Sequence, residues 1–325
     1  MTVNELFEHF EKQHILIIGD VMLDSYLWGN VERISPEAPV PIVHIKKREI
    51  RLGGAANVAL NIQSLGATPI LCSVVGRDLD GQNLLSLIEG RQMSTEGILS
   101  VENRPTTVKQ RVISGSQHML RIDSETDSPL SSEQTQELLA KIKVLLPQCQ
   151  AVIFEDYDKG VITPELIQKV VSLANQKGIP TIVDPKKRNF LAYENVTLFK
   201  PNLKELKEGL KIDFNKADQQ EVKRAAALLM EKMNIKASLI TLSEHGVFIS
   251  NGQEEYFLPA HVRTISDVSG AGDTVVSVAA LTLACGISLK RVAALSNLAG
   301  GIVCEDVGVM PIQKERLRKE VDLIW

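Results

Sequence analysis

Short runs of continuously apolar residues recur along the chain, at His14–Gly19, Pro69–Val75, Ala151–Glu155, Pro180–Asp184, Val196–Phe199 and Ser238–Leu242. Between them apolar positions return every three or four residues. That spacing predicts helices over Ala55–Leu65, Gly81–Gly90, Ser131–Leu146, Pro164–Lys177, Gln219–Met233 and Gly272–Cys285. Several open on Ser, Thr, Asp or Pro, which cap the free N–H groups of a first helical turn or do without one. Strands apolar at every position need cover on both faces, and strands that alternate with helices run parallel. The pattern therefore predicts an α/β fold: a doubly wound, mostly parallel sheet sandwiched by helices.

Two segments break this rhythm. Ser25–Arg51 and Thr106–Asp123 alternate polar and apolar residues, with prolines at the flanks and a hairpin turn expected at Gly115–Ser116. They predict a small β-lid over the main sheet. No stretch of the 325 residues has the composition of a flexible linker. The expectation is one domain over residues 1–325, with the lid formed by insertions at about 25–51 and 106–123.

Charge and cysteine usage narrow the function classes. The formal net charge is -4 and the basic residues are interspersed with acidic ones, which argues against nucleic acid as a partner. Cys72, Cys149, Cys285 and Cys304 lie too far apart in sequence for a zinc or redox motif and read as small core residues in a reducing compartment. The first residues, Met1 to His14, have an amphipathic helix pattern rather than that of a secretory leader, and the apolar run Val275–Ile287 is too short to span a bilayer. A cytoplasmic protein without a membrane partner is expected.

The chemistry is concentrated in Asp267-Val-Ser-Gly-Ala-Gly-Asp-Thr274, followed at once by an apolar helix. Glycines before a helix let backbone N–H groups converge on an anion, and the helix N-terminus adds a favourable field. Gly270, Ala271 and Gly272 could stabilise a transferring phosphoryl group, with Asp273 placed to take the proton of an attacking hydroxyl. The helix field should favour the charged form of Asp273 and make it a weak base. Read alone, the string is equally a glycine-rich helix start with a favourable first-turn Asp. Upstream, Leu52-Gly-Gly-Ala-Ala-Asn-Val-Ala59 offers paired glycines for close ligand approach and Asn57 as donor and acceptor, or else a plain turn before a helix.

Together the Gly-Ala-Gly-Asp-Thr string and the Gly53-Gly54-x-x-Asn57 string resemble the two signatures of the pfkB, or ribokinase-like, carbohydrate kinases. The resemblance runs over nearly the whole chain. It implies ATP and Mg²⁺ as cofactors, Asp273 as base with Gly270, Ala271 and Gly272 as anion hole, and Asp24, Gly53, Gly54 and Asn57 around the sugar. Pro201-Asn-Leu-Lys-Glu205 resembles the family's NxxE motif. It implies Asn202 near the nucleotide phosphates, and Glu205, joined by Asp184, holding the metal through water; a helix cap plus a solvated Glu is the structural alternative. Ser243 and Gly246, after the last apolar run, and Asn297 correspond to nucleotide-lining positions.

Gly19-Asp-Val-Met-Leu-Asp24, Arg33-Ile-Ser-Pro-Glu-Ala-Pro-Val-Pro41 and Asp156-Tyr-Asp-Lys-Gly160 are further similar to a bacterial subgroup that phosphorylates D-glycero-β-D-manno-heptose 7-phosphate at O1 on the way to lipopolysaccharide core. A phosphorylated sugar needs cations at the end remote from Asp273, and Lys109, Arg111, Arg121 and Lys186 are the candidates. Ser269 stands where that subgroup has Thr, Ser25 where it has Arg, and Asp158 where it has a small residue; the change beside Asp24 bears on sugar contacts rather than on phosphoryl transfer. Relatives carry an adenylyltransferase with a His-x-Gly-His motif that this sequence lacks, so a separate polypeptide is expected for that step. The resemblance and the lid's edge strands also imply a homodimer through the lid. Alternatives are a kinase for fructose phosphate, ribose or a ketodeoxy sugar acid, and a non-catalytic sugar sensor. A dinucleotide enzyme would want G-x-G-x-x-G after the first strand, which is absent.

Overall fold

The computed structural model describes residues 1–325 except Ser116, Lys216, Ala217 and Ile324. Helix α1 (Val3–Phe10), opened by a capping box between Thr2 and Glu5, leads into β1 (His14–Gly19). The chain then leaves the main layer as a long ribbon, β2 (Val21–Ile34) and β3 (Pro41–Gly54), and returns through α2 (Ala55–Ser64) to β4 (Thr68–Gly76). After α3 (Leu79–Gly90) and β5 (Ile98–Val101) a second excursion forms β6 (Val108–Ser114) and β7 (Gln117–Ser124). Helices and strands then alternate: α4 (Ser132–Leu145), β8 (Ala151–Glu155), α5 (Pro164–Gln176), β9 (Thr181–Asp184), β10 (Leu198–Phe199), α6 (Leu203–Leu210), α7 (Gln219–Met233) and β11 (Ala237–Thr241). β12 (Val247–Ser250), β13 (Glu255–Leu258), α8 (Ala271–Ala284), α9 (Leu289–Val303) and α10 (Lys314–Val321) follow.

The main sheet has the order β13-β12-β11-β10-β9-β8-β1-β4-β5. It is parallel except for β12 and β13, which pair antiparallel at one edge. The continuous apolarity of the strands has the expected cause. In β1, Ile15 and Ile17 enter the core shared with α2, α8 and α9, while Leu16 and Ile18 enter the one shared with α4 and α5; in β8, Ile153 divides in the same way from Val152 and Phe154. The antiparallel edge was not foreseen, although Asn251-Gly252 between its strands is a hairpin signal, with Gly252 at φ 84°.

β1 lies between β4 and β8, so successive crossovers leave it in opposite directions. A crevice opens at the carboxyl ends of the strands at such a switch point, and there the chain places Asp20, Glu155, Asp184 and Lys200.

The second sheet, β3-β2-β6-β7, is the lid. Its ribbon starts at Val21 and ends at Gly54, longer than the 25–51 expected, whereas β6 starts only at Val108, after Thr106 has given its backbone N–H to Asp78 Oδ2 at 2.8 Å. Gly115 turns at φ 59°, and Ser116 of the expected turn lies outside the described residues. Strand register pairs Asp24 with Arg51 and Lys109, and Tyr26 with Glu49 and Arg111, so one face of the lid is charged. The opposite face carries Leu27, Ile50, Leu120 and Ile122, the last three 43%, 58% and 47% exposed. All four cysteines are free thiols, and among the described residues no helix is long and apolar enough to cross a membrane.

Candidate active site

Helix α8 is apolar on all sides and buried from Asp273 to Thr282, because it packs between α2, α9 and strands β8 and β9. Its N-cap, Gly270, stands at φ 81°, and a Cβ there would press on Asn57 Nδ2 and Val309 Cγ1 at 3.2 Å. The Gly272 and Asp273 N–H groups find no acceptor among the described residues, as the start of a helix leaves them. Ala271 N–H turns back to Val268 O at 3.3 Å, so of the three predicted anion-hole residues Ala271 has its amide engaged.

Asp273 is buried. Its Oδ2 accepts Asn57 Nδ2 at 2.7 Å and its Oδ1 accepts the Tyr157 hydroxyl at 2.9 Å. Four residues on, Asn61 accepts the Thr274 hydroxyl at 3.0 Å, so α2 and α8 are joined by two polar bonds along one helix face. The weak-base expectation for Asp273 is corrected: burial pushes its carboxyl up to about 6, aided by the charge of Asp184 and opposed by the Asn57 and Tyr157 hydrogen bonds. Desolvation is the largest of these influences.

Beside it lies a buried charged cluster. Lys200, 2% exposed, donates to Asp184 Oδ2 at 2.8 Å. Burial works against its charge, but Asp184 and Glu205 more than offset this and its pKa is raised. Lys186 bonds Glu205 Oε1 at 2.7 Å and lies over the Tyr157 ring at 5.3 Å. It too stays charged against burial through Asp184 and Glu205, and it is grouped with them rather than with the lid cations. Glu155 ends β8 fully buried, and burial with the nearby charges of Asp184 and Asp273 raises its carboxyl well above the usual range. Asn202 and Glu205 form a capping box: Asn202 Oδ1 accepts Glu205 N–H at 2.9 Å, and Glu205 Oε2 accepts Asn202 N–H at 2.8 Å. Both Glu205 oxygens are thus engaged within the protein.

Among the residues expected around a sugar, Asp24 Oδ1 accepts Arg111, whose guanidinium also lies 5.3 Å from the Tyr26 ring centroid. A Cβ on Gly53 would stand 2.3 Å from Asp24 Oδ2, so the bare glycine leaves that carboxylate its place. Gly54 follows at φ 59° as the N-cap of α2. Lys109 pairs with Asp123 at 3.3 Å and Glu125 at 2.9 Å, and the exposed Arg121 pairs with Asp123 at 3.0 Å. Asp20 is occupied otherwise: its oxygens accept the N–H groups of Tyr157, Lys159 and Val161 at 2.9–3.1 Å and fix the loop after β8. Asp158 sits in that loop at φ 56° and accepts Arg188 N–H at 3.3 Å. Ser25, by strand alternation, points away from Asp24 and bonds Gln110 at 3.3 Å, so the change there falls on the lid's other face.

Ser243 (φ 54°) and Gly246 (φ 84°) make the turn between β11 and β12, and Asn297 on α9 donates to Pro259 O at 2.8 Å.

The sequence matches the pfkB family carbohydrate kinase over residues 12–316. The chain belongs to that family. This kinase is 41% identical to the "Bifunctional protein HldE" of Desulfatibacillum aliphaticivorans over 96% of its length and 64% of the relative's, and 40% identical to that of Wolinella succinogenes over 90% and 61%. It therefore spans less than two thirds of these curated relatives. Among solved structures it is similar to Escherichia coli phosphofructokinase-2 in complex with potassium (TM-score 0.78, 20% identity, 96% and 98% of the two chains). It is also similar to Arabidopsis thaliana ribokinase with ribose and ATP (TM-score 0.73, 18% identity, 94% and 99%). These likenesses show the ribokinase-like fold, and the family makes the protein an ATP-dependent carbohydrate kinase.

Four residues of the kinase's crevice escaped the sequence reading: Tyr157, Glu155, Lys200 and Arg51. Arg51 lies over the Tyr26 ring at 5.0 Å and reaches Val309 O at 3.4 Å, tying the lid to the segment beside Gly270. Glu155 and Lys200 did carry a signal, a charged residue directly after an apolar run in a parallel sheet.

Proposed function

We propose that the kinase transfers the γ-phosphoryl group of ATP to O1 of D-glycero-β-D-manno-heptose 7-phosphate in the cytoplasm, giving the 1,7-bisphosphate and ADP. The observation that carries this is the 2.7 Å bond between Asn57 and Asp273, which joins the sugar-side and phosphoryl-side motifs across 216 residues. Asp24, Gly53, Gly54 and Asn57 hold the sugar hydroxyls. Asp273 takes the O1 proton as O1 bonds to the γ-phosphorus and the bond to the ADP oxygen breaks. The Gly272 and Asp273 amides at the α8 N-terminus, with Gly270 and Ala271 shaping the turn, receive the charge on the transferring group. A carboxyl pushed up to about 6 is a better proton acceptor than an ordinary Asp and is still ionised at neutral pH.

Asn202, Ser243, Gly246 and Asn297 line the nucleotide. A divalent ion, Mg²⁺ in this reading, offsets charge on the β- and γ-phosphates when bound, with Asp184 and, through water, Glu205 as its carboxylates. Arg111, Lys109 and Arg121 share the charged lid face and meet the remote 7-phosphate; Lys186 serves the ATP end. The subgroup motifs at Gly19–Asp24, Arg33–Pro41 and Asp156–Gly160, together with the similarity to the HldE proteins, support the heptose assignment. The apolar outer face of the lid supports a homodimer formed there.

ADP release over a panel of sugars and sugar phosphates tests the assignment. Clear preference for the heptose 7-phosphate is expected, and equal turnover of an unphosphorylated sugar would defeat it. Asp273→Ala should lower turnover roughly 10²–10⁴-fold while ATP still binds by calorimetry; unchanged turnover removes Asp273 from the chemistry.

A further inference from the structure

The carboxylate with open lone pairs in this crevice is not the one that the NxxE motif nominates. Glu205 spends both oxygens on Lys186 and on the Asn202 N–H. Glu155 is 0% exposed, yet neither of its oxygens accepts a hydrogen bond among the described residues. One oxygen each from Glu155, Asp184 and Asp273 lie within 4.8 Å of one another. The neighbouring ammonium groups leave Glu155 without a partner: Lys200 is spent inside the cluster on Asp184 Oδ2 at 2.8 Å, and Lys186 is 2.7 Å from Glu205 but 3.9 Å from Asp184 Oδ1. The two buried, unpartnered oxygens of Glu155, set beside the carboxylates of Asp184 and Asp273, call for a positive charge between them.

We propose that Glu155 and Asp184 bind a hard divalent cation directly, with Asp273 adding negative charge at the third corner. Both Asp273 oxygens already accept hydrogen bonds, from Asn57 and Tyr157, which reserves that residue for proton transfer. Mg²⁺ and Mn²⁺ hold oxygens at roughly 2.1 Å, so ligand atoms on one ion stand about 3–4 Å apart, within the observed spread. One or two carboxylates, with water and phosphate completing the shell, is the usual set for Mg²⁺, and an all-oxygen site disfavours softer metals. This deepens the metal part of the kinase reading, and because its test involves no turnover the two can fail separately.

Mn²⁺ titration of the nucleotide-free protein, followed by electron paramagnetic resonance, reads the site. One bound ion per chain is expected, displaced by Mg²⁺, at least tenfold weaker in Glu155→Gln and within twofold of wild type in the surface control Glu208→Gln. No bound ion in the wild type, or wild-type affinity in Glu155→Gln, overturns the proposal and leaves Glu155 as a carboxyl that holds a proton. Thermal melting in EDTA checks that Glu155→Gln folds. If it does not, anomalous scattering from wild-type crystals soaked in Mn²⁺ decides: a peak between the Glu155 and Asp184 carboxylates supports the site, and its absence, or a peak only beside Asn202 and Glu205, refutes it.

Discussion

Replacing Tyr157 with Phe deletes one oxygen and little else. The ring that lies under Lys186 remains, while the hydroxyl that donates to Asp273 Oδ1 at 2.9 Å is lost. A hydrogen bond to a charged group contributes about 1.5–3 kcal/mol, which corresponds to roughly 1–2 pKa units. The bond favours the ionised carboxylate, so its loss moves Asp273 upward from about 6, to between roughly 7 and 8. The working form of a base is the unprotonated one. At pH 7 its fraction then falls from roughly nine-tenths to between about half and a tenth, a two- to tenfold drop in kcat that is recovered near pH 9. The assay is the pH profile of kcat for wild type and Tyr157→Phe under saturating ATP and sugar phosphate. An acid limb that stays put in the variant would refute the view that Tyr157 holds Asp273 in its charged form, whatever happens to the absolute rate.

Other consequences can be checked on the same protein. Lys200→Met leaves Asp184 buried without its 2.8 Å partner, and urea denaturation should show a loss of about 3–5 kcal/mol; an unchanged midpoint would contradict this. Asp20, fully buried, is pushed up to about 6 by desolvation and the nearby Asp156 charge, against 3.8 for the free group. Its proton therefore stabilises the fold below the unfolded value, and that contribution is lost as pH rises through 6. Between pH 4.5 and 7.5 wild type should lose about 2 kcal/mol more than Asp20→Asn, and parallel stability curves would falsify the assignment. Leu120→Glu with Ile122→Glu should convert the proposed dimer to monomer in sedimentation without unfolding it; a surviving dimer would place the interface elsewhere.

Much of the fold was legible because burial on both faces removes polar alternation. Ile15 to Ile18 can be apolar throughout only between two layers of helices. Asp273 and Asn57 were legible because glycine-rich turns and short polar side chains at helix starts leave local marks. Glu155, Tyr157 and Lys200 were not, since their meaning depends on β8, β9 and β10 being neighbours at the switch point. No local pattern encodes which strand ends converge. The basicity of Asp273 was misjudged for a related reason: the field of a helix start is a local property, while desolvation comes from α2, α9 and the sheet closing around it. Asn202 and Glu205 show how a capping box and a ligand motif can share one spacing.

The ribbon of β2 and β3 is anchored at Val21, just past Asp20, and at Gly54, just before the helix that carries Asn57. A stiff two-stranded arm fixed at its root behaves as a lever whose fulcrum is the glycine pair. A tilt of its tip, whether on the proposed sugar or in the proposed dimer, would reach, within one helical turn, the Asn57 amide bonded to Asp273.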